Sequence, residues 1–359
     1  MKTTLDLYTD YLISSMGQAS ATNLSRLLNG AVSHDSVTRF LSESELKSSD
    51  LWLMTKKLVR KYETEEGCLV FDDTIILKEY TDESDLICWH YDHTKGKTVK
   101  GVNLLSAFYT SQDLRIPITY ELIKKPIVCC SVETKKEVRK SAVTKHELLR
   151  EMVRITLLNQ IKFKYVLADS WYTSTKNMTY INDKKKFFIF DVKIDRQAVL
   201  VNNSNKKPTK KDQWTRIDEL NISENVPTRV WLKDLEFEVL LMKEVFRNED
   251  GSVQGVRFLV TNDYNLSYEE LSTLYQKRWS VEEYHKSLKQ NTSIAKSPTR
   301  RIKTQSNHFF CSIWAYVKLE IFKLKTNLNH FQLKNRMYIQ ALKAAFSELT
   351  CFKEKYMSA

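Results

Sequence analysis

Four residues in the last third of the sequence combine side chains that could bind a metal ion and a phosphate group. Tyr275, Arg278, Glu282 and Lys289 follow the spacing Y-x2-R-x3-E-x6-K within YQKRWSVEEYHKSLK. At about 100° per residue, a single α-helix would place all four side chains within an arc of about 60°. The carboxylate could bind a divalent cation, and the other three side chains could bind phosphate oxygens. The spacing therefore favours a metal-dependent reaction on a nucleic-acid backbone, although a solvated helix face with a salt bridge has the same pattern.

Two upstream segments carry aspartates at the end of an apolar run. CLVFDDTIILK contains Asp72 and Asp73, and KYVLADSWYTS contains Asp169. Short apolar runs of this kind are typical of strands buried on both faces, and functional groups often lie where such strands end. Adjacent residues of a strand point to opposite faces, so only one of Asp72 and Asp73 is expected to enter a site. On the helix, Glu282 rather than Glu283 shares the face of the cationic residues.

These three segments together resemble the DDE transposases of bacterial insertion sequences. The helix residues are similar to the Tyr-Arg-Glu-Lys signature of the cut-and-paste members, and the resemblance covers roughly residues 65 to 320. It implies a ribonuclease H-like core in which Asp73, Asp169 and Glu282 are the catalytic residues. The family has its first catalytic Asp directly before a Thr, which favours Asp73 and leaves Asp72 as the alternative.

The residue types indicate how such a site would work. Hard oxygen ligands suit Mg²⁺ or Mn²⁺, and two such ions would activate the attacking oxygen and stabilise the leaving oxygen. Tyr275, Arg278 and Lys289 would then orient phosphate groups. We expect hydrolysis at transposon ends, followed by attack of the freed 3′-hydroxyl on target DNA. A ribonuclease H-like nuclease without strand transfer and a non-catalytic DNA-binding regulator are the alternatives.

The charge distribution favours double-stranded DNA as the partner. The formal net charge is +12, and residues 277 to 343 contain fourteen Lys or Arg against three acidic residues. Within this stretch, SPTRRIKTQSNH places Arg300, Arg301 and Lys303 on a predicted loop that could contact phosphates, or could simply be solvated. The expected DNA partners are the terminal inverted repeats of a transposon and its target. Because two ends must be joined, we expect a dimer or a larger assembly on DNA.

The first 65 residues are predicted to form a small helical domain. Thr22 could cap one short helix that ends at Gly30, and Ser33 could begin a second. Two short helices joined by a glycine-containing turn indicate a helix-turn-helix, with Arg39 near the front of the recognition helix. A helical unit that only packs on the next domain is the alternative.

The overall prediction is an α/β fold. It has a ribonuclease H-like catalytic core at residues 66–320, and the C-terminal segment 321–359 is helical. Within the core, Thr144 and Glu147 have the spacing of a capping box before a helix. A β-rich insertion is expected at about residues 195–256.

The insertion begins with the polar stretch NNSNKKPTKKDQ. Its Trp214 and Trp231 could stack on an extruded base, although an isolated Trp more often packs in a core.

Composition predicts a cytoplasmic protein. The six cysteines lack a C-x2-C pair, and reduced thiols in a cytosol account for them. No run of about 18 apolar residues occurs in the sequence. We therefore expect a bacterial cytoplasmic, nucleoid-associated location.

Overall fold

A computed structural model describes residues 3–132, 135–201, 208 and 213–357. Ten helices occur in this part of the chain: α1 Thr4–Ser14, α2 Ala21–Leu27, α3 His34–Glu43, α4 Ser48–Tyr62, α5 Lys145–Leu158, α6 Thr175–Asp183, α7 Tyr268–Gln276, α8 Trp279–Asn291, α9 Ile302–Thr326 and α10 His330–Met357. Two short 3₁₀-helices lie at Ser170–Tyr172 and Ile217–Glu219.

The described residues also form thirteen strands: β1 Cys68–Leu77, β2 Cys88–Asp92, β3 Lys97–Thr110, β4 Arg115–Leu122, β5 Ile127–Cys130, β6 Glu137–Lys140, β7 Tyr165–Ala168, β8 Phe187–Asp191, β9 Gln197–Leu200, β10 Thr215–Arg216, β11 Thr228–Leu232, β12 Val239–Arg247 and β13 Val253–Thr261. Eleven of them make one sheet in the order β10-β9-β11-β12-β13-β8-β7-β1-β3-β2, with β4 also paired to β3. Strands β5 and β6 form a separate pair. The mixed α/β fold expected from the sequence is confirmed at this level.

The centre of the sheet is built around β1. This strand pairs antiparallel with β3 and parallel with β7, and β7 pairs parallel with β8. The apolar start of β1 and the whole of β7 are buried, as expected for strands covered on both faces. Thr144 and Glu147 form the predicted capping box at the start of α5, so that prediction is confirmed. Burial of these two strands therefore sets the positions of the aspartates that follow their buried segments.

The amino-terminal helices pack against α9. The amide of Asn307 donates hydrogen bonds to the carbonyl oxygens of Leu41 and Ser44, and the Tyr8 hydroxyl bonds to Nδ1 of His308 at 2.9 Å. Ser33 caps α3 as expected. The predicted cap of the preceding helix was wrong: Ser20 rather than Thr22 accepts the capping hydrogen bond, because the helix begins at Ala21.

The region of the predicted insertion continues the main sheet. Strands β9, β11 and β12 pair in turn and join β13. Trp231 on β11 is only 8% exposed and packs in the core, so stacking on a base is ruled out for it in this conformation. Trp214 is partly buried. Apart from Pro208 and Gln213, the polar stretch before it lies outside the described residues.

The predicted signature helix is divided in two. Residues Lys277 and Arg278 keep helical angles, but the amides around them bond three residues back instead of four: Arg278 to Tyr275, and Val281 to Arg278. Tyr275 therefore lies on α7, and Glu282 and Lys289 lie on α8. The expectation of a single helix was wrong, since periodicity does not reveal such a local tightening.

None of the helices in the described part of the chain is both long enough and apolar enough to span a lipid bilayer.

Candidate active site

Asp72 and Asp169 directly follow the buried segments of the parallel strands β1 and β7. Phe71 pairs with Ala168, so the next residue on each strand is Asp72 and Asp169 respectively. Residues at the same position of neighbouring parallel strands project from the same face of the sheet. Both side chains line a cavity of about 1090 Å³. The register therefore places Asp72, and not Asp73, level with Asp169 on the neighbouring strand.

Helix α8 covers the face from which Asp72 projects. Nδ1 of His285 lies 3.6 Å from the Asp72 carboxylate, and Nζ of Lys289 donates a 2.7 Å hydrogen bond to the hydroxyl of Thr74. Thr74 is two residues after Asp72 and so shares its face. Glu282 lies one turn before Lys286 on the same helix, and it lines the same cavity as the two aspartates. Helix α8 thus brings a third carboxylate, that of Glu282, to the cavity lined by Asp72 and Asp169.

Glu282 is held in place by a neighbouring cation. Nη2 of Arg278 donates a 2.6 Å hydrogen bond to Oε1 of Glu282, four residues further along the chain. The Arg278 side chain is 18% exposed, and the Glu282 side chain is 35% exposed. Arg278 and Lys289 also line the cavity. The site therefore places two cations among the carboxylates, where they could contact a polyanion.

Asp73 has a different set of neighbours, all of which donate hydrogen bonds to it. Nζ of Lys145 and Nδ2 of Asn103 bond to Oδ2 at 2.7 and 2.8 Å, and the Tyr172 hydroxyl bonds to Oδ1 at 2.6 Å. Asp73 also lines the cavity, so both adjacent aspartates reach it. The expectation that only one of them would do so was wrong, because the cavity is lined both by α8, which contacts Asp72, and by α5, which contacts Asp73.

The two aspartates of β1 differ in electrostatics. Burial, reinforced by the negative charges of Asp73 and Asp169, raises the pKa of Asp72 to about 8. Burial also opposes ionisation of Asp73, but the charge and hydrogen bond of Lys145 outweigh it, together with the bonds from Tyr172 and Asn103, and lower the pKa of Asp73. Burial and the charge of Asp73 raise the pKa of Asp169. The charge of Arg278 lowers the pKa of Asp72 and of Asp169, but it does not outweigh burial and the neighbouring carboxylates.

The donor set fits a hard divalent cation in part. Within the described residues, no three His, Cys, Asp or Glu side chains form a group ready to hold a metal ion. Asp72 and Asp169 nevertheless offer oxygen ligands, and a bound cation would offset the burial and the charge repulsion that raise the pKa of Asp72. Glu282 is the third oxygen donor that lines the cavity near them. Carboxylate oxygens are the donors that Mg²⁺ or Mn²⁺ prefers.

Tyr275 occupies a different position from the other signature residues. Its side chain is 3% exposed, and its hydroxyl faces the carbonyl oxygen of Ala168 at 3.5 Å. The guanidinium groups of Arg257 and Arg278 lie 4.9 and 5.7 Å from the centre of its ring. Tyr275 is not among the described residues that line the cavity. In this conformation it packs beside Arg278 and is not placed to contact a phosphate.

The other predicted DNA-binding residues lie on the surface. Arg300 and Arg301 are exposed in the segment before α9, and Lys303 is exposed in the first turn of that helix instead of in a loop. Lys78, at the end of β1, donates hydrogen bonds to the carbonyl oxygens of Ala295 and Ser297 and so fixes the start of this segment. Arg39 is exposed on α3. None of these four predicted residues is among the described residues that line the cavity.

Several residues of the site were missed by the sequence analysis. Tyr172 follows Asp169 by three residues, and His285 follows Glu282 by three residues on a helix, so their spacing could have indicated them. Lys145 and Asn103 carried no such signal, because they lie 72 and 30 residues from the aspartate that they contact. Only the packing of α5 and the pairing of β3 with β1 bring them to the site.

Comparison with known proteins gives a family for this arrangement. Residues 64–318, more than half of the chain, match the family described as "Transposase DDE domain". A search of curated proteins found no match. Among solved structures, the "Drosophila P element transposase strand transfer complex" aligns over 97% of this chain and 86% of its own, with 9% identity and a TM-score of 0.26. That similarity is too low to carry an argument about this chain.

Proposed function

Because the chain belongs to the family of transposase DDE domains and is an enzyme of that type, we propose that it cuts DNA at transposon ends and joins the freed 3′-hydroxyl to target DNA. The observation that carries this proposal is the register of β1 and β7, which sets Asp72 beside Asp169, with Glu282 of α8 lining the same cavity. Carboxylates from neighbouring strands, with cations around them, suit a reaction on a phosphodiester.

We assign the binding of Mg²⁺ or Mn²⁺, in two sites, to Asp72, Asp169 and Glu282. When bound, such ions supply activation of the attacking oxygen and stabilisation of the leaving oxygen. Asp73, the choice favoured by the family pattern, is the alternative first ligand. Its three hydrogen-bond donors support a positioning role instead, since they already satisfy both of its oxygens.

The cationic side chains of the cavity have separate tasks in this proposal. Arg278 orients the Glu282 carboxylate through their 2.6 Å hydrogen bond. Lys289 and Lys286 line the cavity on the same helix, where they can bind phosphate oxygens as point charges. The half-buried state of Arg278 strengthens its interaction with a phosphate, because fewer water molecules compete for its donors. The role proposed for Tyr275 is to hold Arg278, while phosphate contact by Tyr275 would need a change of conformation.

Double-stranded DNA is the proposed partner, namely the terminal inverted repeats of a bacterial insertion sequence and its target. The exposed cations Arg300, Arg301 and Lys303 are proposed to contact its backbone next to α9, and Arg39 of α3 is proposed to contact it at the amino-terminal helices. A cytoplasmic, nucleoid-associated location follows from this partner. Phosphate contacts of this kind supply affinity without sequence preference.

We propose that assembly on two DNA ends uses the exposed part of α10. Ile339, Leu342, Phe346 and Leu349 follow one another at spacings of three and four residues, and Tyr356 continues the stripe. Phe346 is 72% exposed and Leu349 is 50% exposed. A spacing of this kind lines one helix face and suits packing against the same face of a second copy.

The proposal is tested with purified protein and DNA that carries the element's own ends, with and without Mg²⁺. Cutting and joining that require Mg²⁺ and are lost in Glu282→Gln would establish the proposed reaction. Cutting without joined products would favour a ribonuclease H-like nuclease, and binding without either product would favour a regulator. The Asp113→Asn variant is a matched control, because Asp113 is exposed and does not line the cavity.

A further inference from the structure

Three aromatic side chains that line the cavity lie in contact with one another. The rings of Tyr91 and His93 are 4.8 Å apart, at an angle of 77°, and the rings of His93 and Trp171 are 5.7 Å apart. Tyr91 is 56% exposed and Trp171 is 47% exposed, while His93 is also exposed. All three line the same cavity as the carboxylates. We call Tyr91, His93 and Trp171 the aromatic cluster.

The aromatic cluster is positioned by two separate parts of the fold. Tyr91 lies on β2, in which buried and exposed residues alternate, and His93 lies in the tight turn that leads to β3. The carboxylate of Asp92 accepts hydrogen bonds from the amides of Thr94 and Lys95, which fixes that turn. The cluster therefore depends on the meeting of this hairpin tip with the segment after β7.

Trp171 is tied directly to the carboxylate site. Its backbone amide donates a 3.1 Å hydrogen bond to Oδ1 of Asp169, two residues earlier. This bond fixes the Trp171 backbone relative to Asp169, so a flat molecule stacked on the ring would lie near that carboxylate. Nζ of Lys193 lies 5.8 Å from the centre of the same ring, and Lys95 lines the cavity beside the hairpin tip. Exposed rings flanked by cations are the combination that binds single-stranded nucleic acid.

We propose that the aromatic cluster binds an unpaired nucleobase of the DNA next to the phosphate at the carboxylates. This inference rests on the proposed function, and it adds a preference for DNA with an unpaired nucleotide at the site. Bases inside a duplex are stacked on each other and cannot cover the ring of Trp171. An unpaired base can, while Lys193 and Lys95 contact the adjoining phosphates. Exposed aromatic side chains gain from this contact because stacking removes their rings from water.

The test uses the full chain with Glu282→Gln, so that no DNA is consumed. The probe is a DNA duplex with one unpaired 2-aminopurine, whose fluorescence falls when it stacks, and the reference is the same duplex fully paired. We expect quenching on binding, and we expect Trp171→Ala to remove it and to weaken binding of the probe by on the order of tenfold. Trp171→Phe should restore much of both effects, and Tyr80→Ala should change neither, since Tyr80 is 95% exposed and does not line the cavity.

The outcomes separate this inference from the proposed reaction. Two results would overturn the assignment of the aromatic cluster. One is equal quenching by proteins with and without the Trp171 and Tyr91 side chains. The other is a loss of affinity in Trp171→Ala that is as large for the paired duplex as for the probe. Cleavage by the unaltered protein combined with either result would leave the reaction intact. Conversely, the quenching could depend on Trp171 while the unaltered protein cuts no DNA. That result would support base binding by the aromatic cluster and would refute the proposed transposase reaction.

Discussion

Nζ of Lys145 donates a 2.7 Å hydrogen bond to Oδ2 of Asp73, although the two residues are 72 positions apart in the sequence. Lys145 is the first residue of α5, and Asp73 lies in the middle of β1. With Tyr172 and Asn103, this lysine surrounds Asp73 with hydrogen-bond donors, whereas burial and the neighbouring carboxylates dominate the electrostatics of Asp72. The two neighbouring aspartates are therefore expected to respond differently to the same substitution.

Loss of the Asp72 carboxylate should be more damaging than loss of the Asp73 carboxylate. We expect Asp72→Asn and Asp169→Asn to lower the cleavage rate by on the order of a thousandfold, because each removes charge that would hold the metal ion. Asp73→Asn should lower it about 10- to 100-fold, as is usual when a group that orients the site is lost. The rates are measured on DNA ends, and Mg²⁺ affinity is measured in parallel by calorimetry. A larger loss of cleavage rate in Asp73→Asn than in Asp72→Asn would identify Asp73 as the first metal ligand.

The cations before α9 should set the salt dependence of DNA binding. Replacing Arg300 and Arg301 with Ala should reduce the slope of log Kd against log salt by about two, since each phosphate contact contributes roughly 0.9. The affinity should fall for all DNA sequences alike. Lys56→Ala combined with Lys57→Ala is the matched control, because both lysines are exposed on α4. An unchanged slope in the arginine variant would exclude this segment from the DNA interface.

Stability should depend on pH through the buried His308. Its Nε2 faces the carbonyl oxygens of Ser293 and Ile294, and Tyr8 bonds to Nδ1, so the neutral ring satisfies both nitrogens. Burial, helped by the charge of Lys78, lowers the pKa of His308 to about 4 from its usual 6.5. The unfolded chain therefore takes up a proton first as the pH falls. The contribution to stability is full above pH 6.5 and is lost between 6.5 and 4, on the order of 3 kcal/mol.

This prediction is checked by urea unfolding at several pH values. His308→Gln should be less stable than the unaltered protein at neutral pH, because it loses the bond to Tyr8, but its stability should fall less between pH 6.5 and 4. His34→Gln is the control for the loss of a histidine, since the His34 side chain is 59% exposed. Parallel pH profiles for His308→Gln and the unaltered protein would contradict the account.

Charge placed on the apolar stripe of α10 should prevent assembly. Phe346→Asp with Leu349→Asp should shift the protein from dimer to monomer in sedimentation experiments, because a carboxylate at either position would have to be buried in the interface. Ala344→Asp adds one carboxylate on the opposite side of the helix and should leave the dimer intact. If the unaltered protein is a monomer with and without DNA, the stripe has another role.

The sequence alone determined the local features of this protein. Apolar runs ending in Asp predicted β1 and β7, and the spacing of Thr144 and Glu147 predicted the start of α5. The helical periodicity around Glu282 predicted that Arg278 and Lys289 would accompany it. These features were readable because strand alternation, helix periodicity and capping depend on residues only a few positions apart.

Tertiary structure alone decided which groups meet. The register of β1 with β7 brought Asp72 beside Asp169. The packing of α5 brought Lys145 within hydrogen-bond distance of Asp73. Packing also placed Trp231 in the core and exposed Trp171 at the cavity, although nothing local distinguished the two. Register and packing depend on contacts between residues far apart in the chain, so no short stretch of sequence contains the information that selects them.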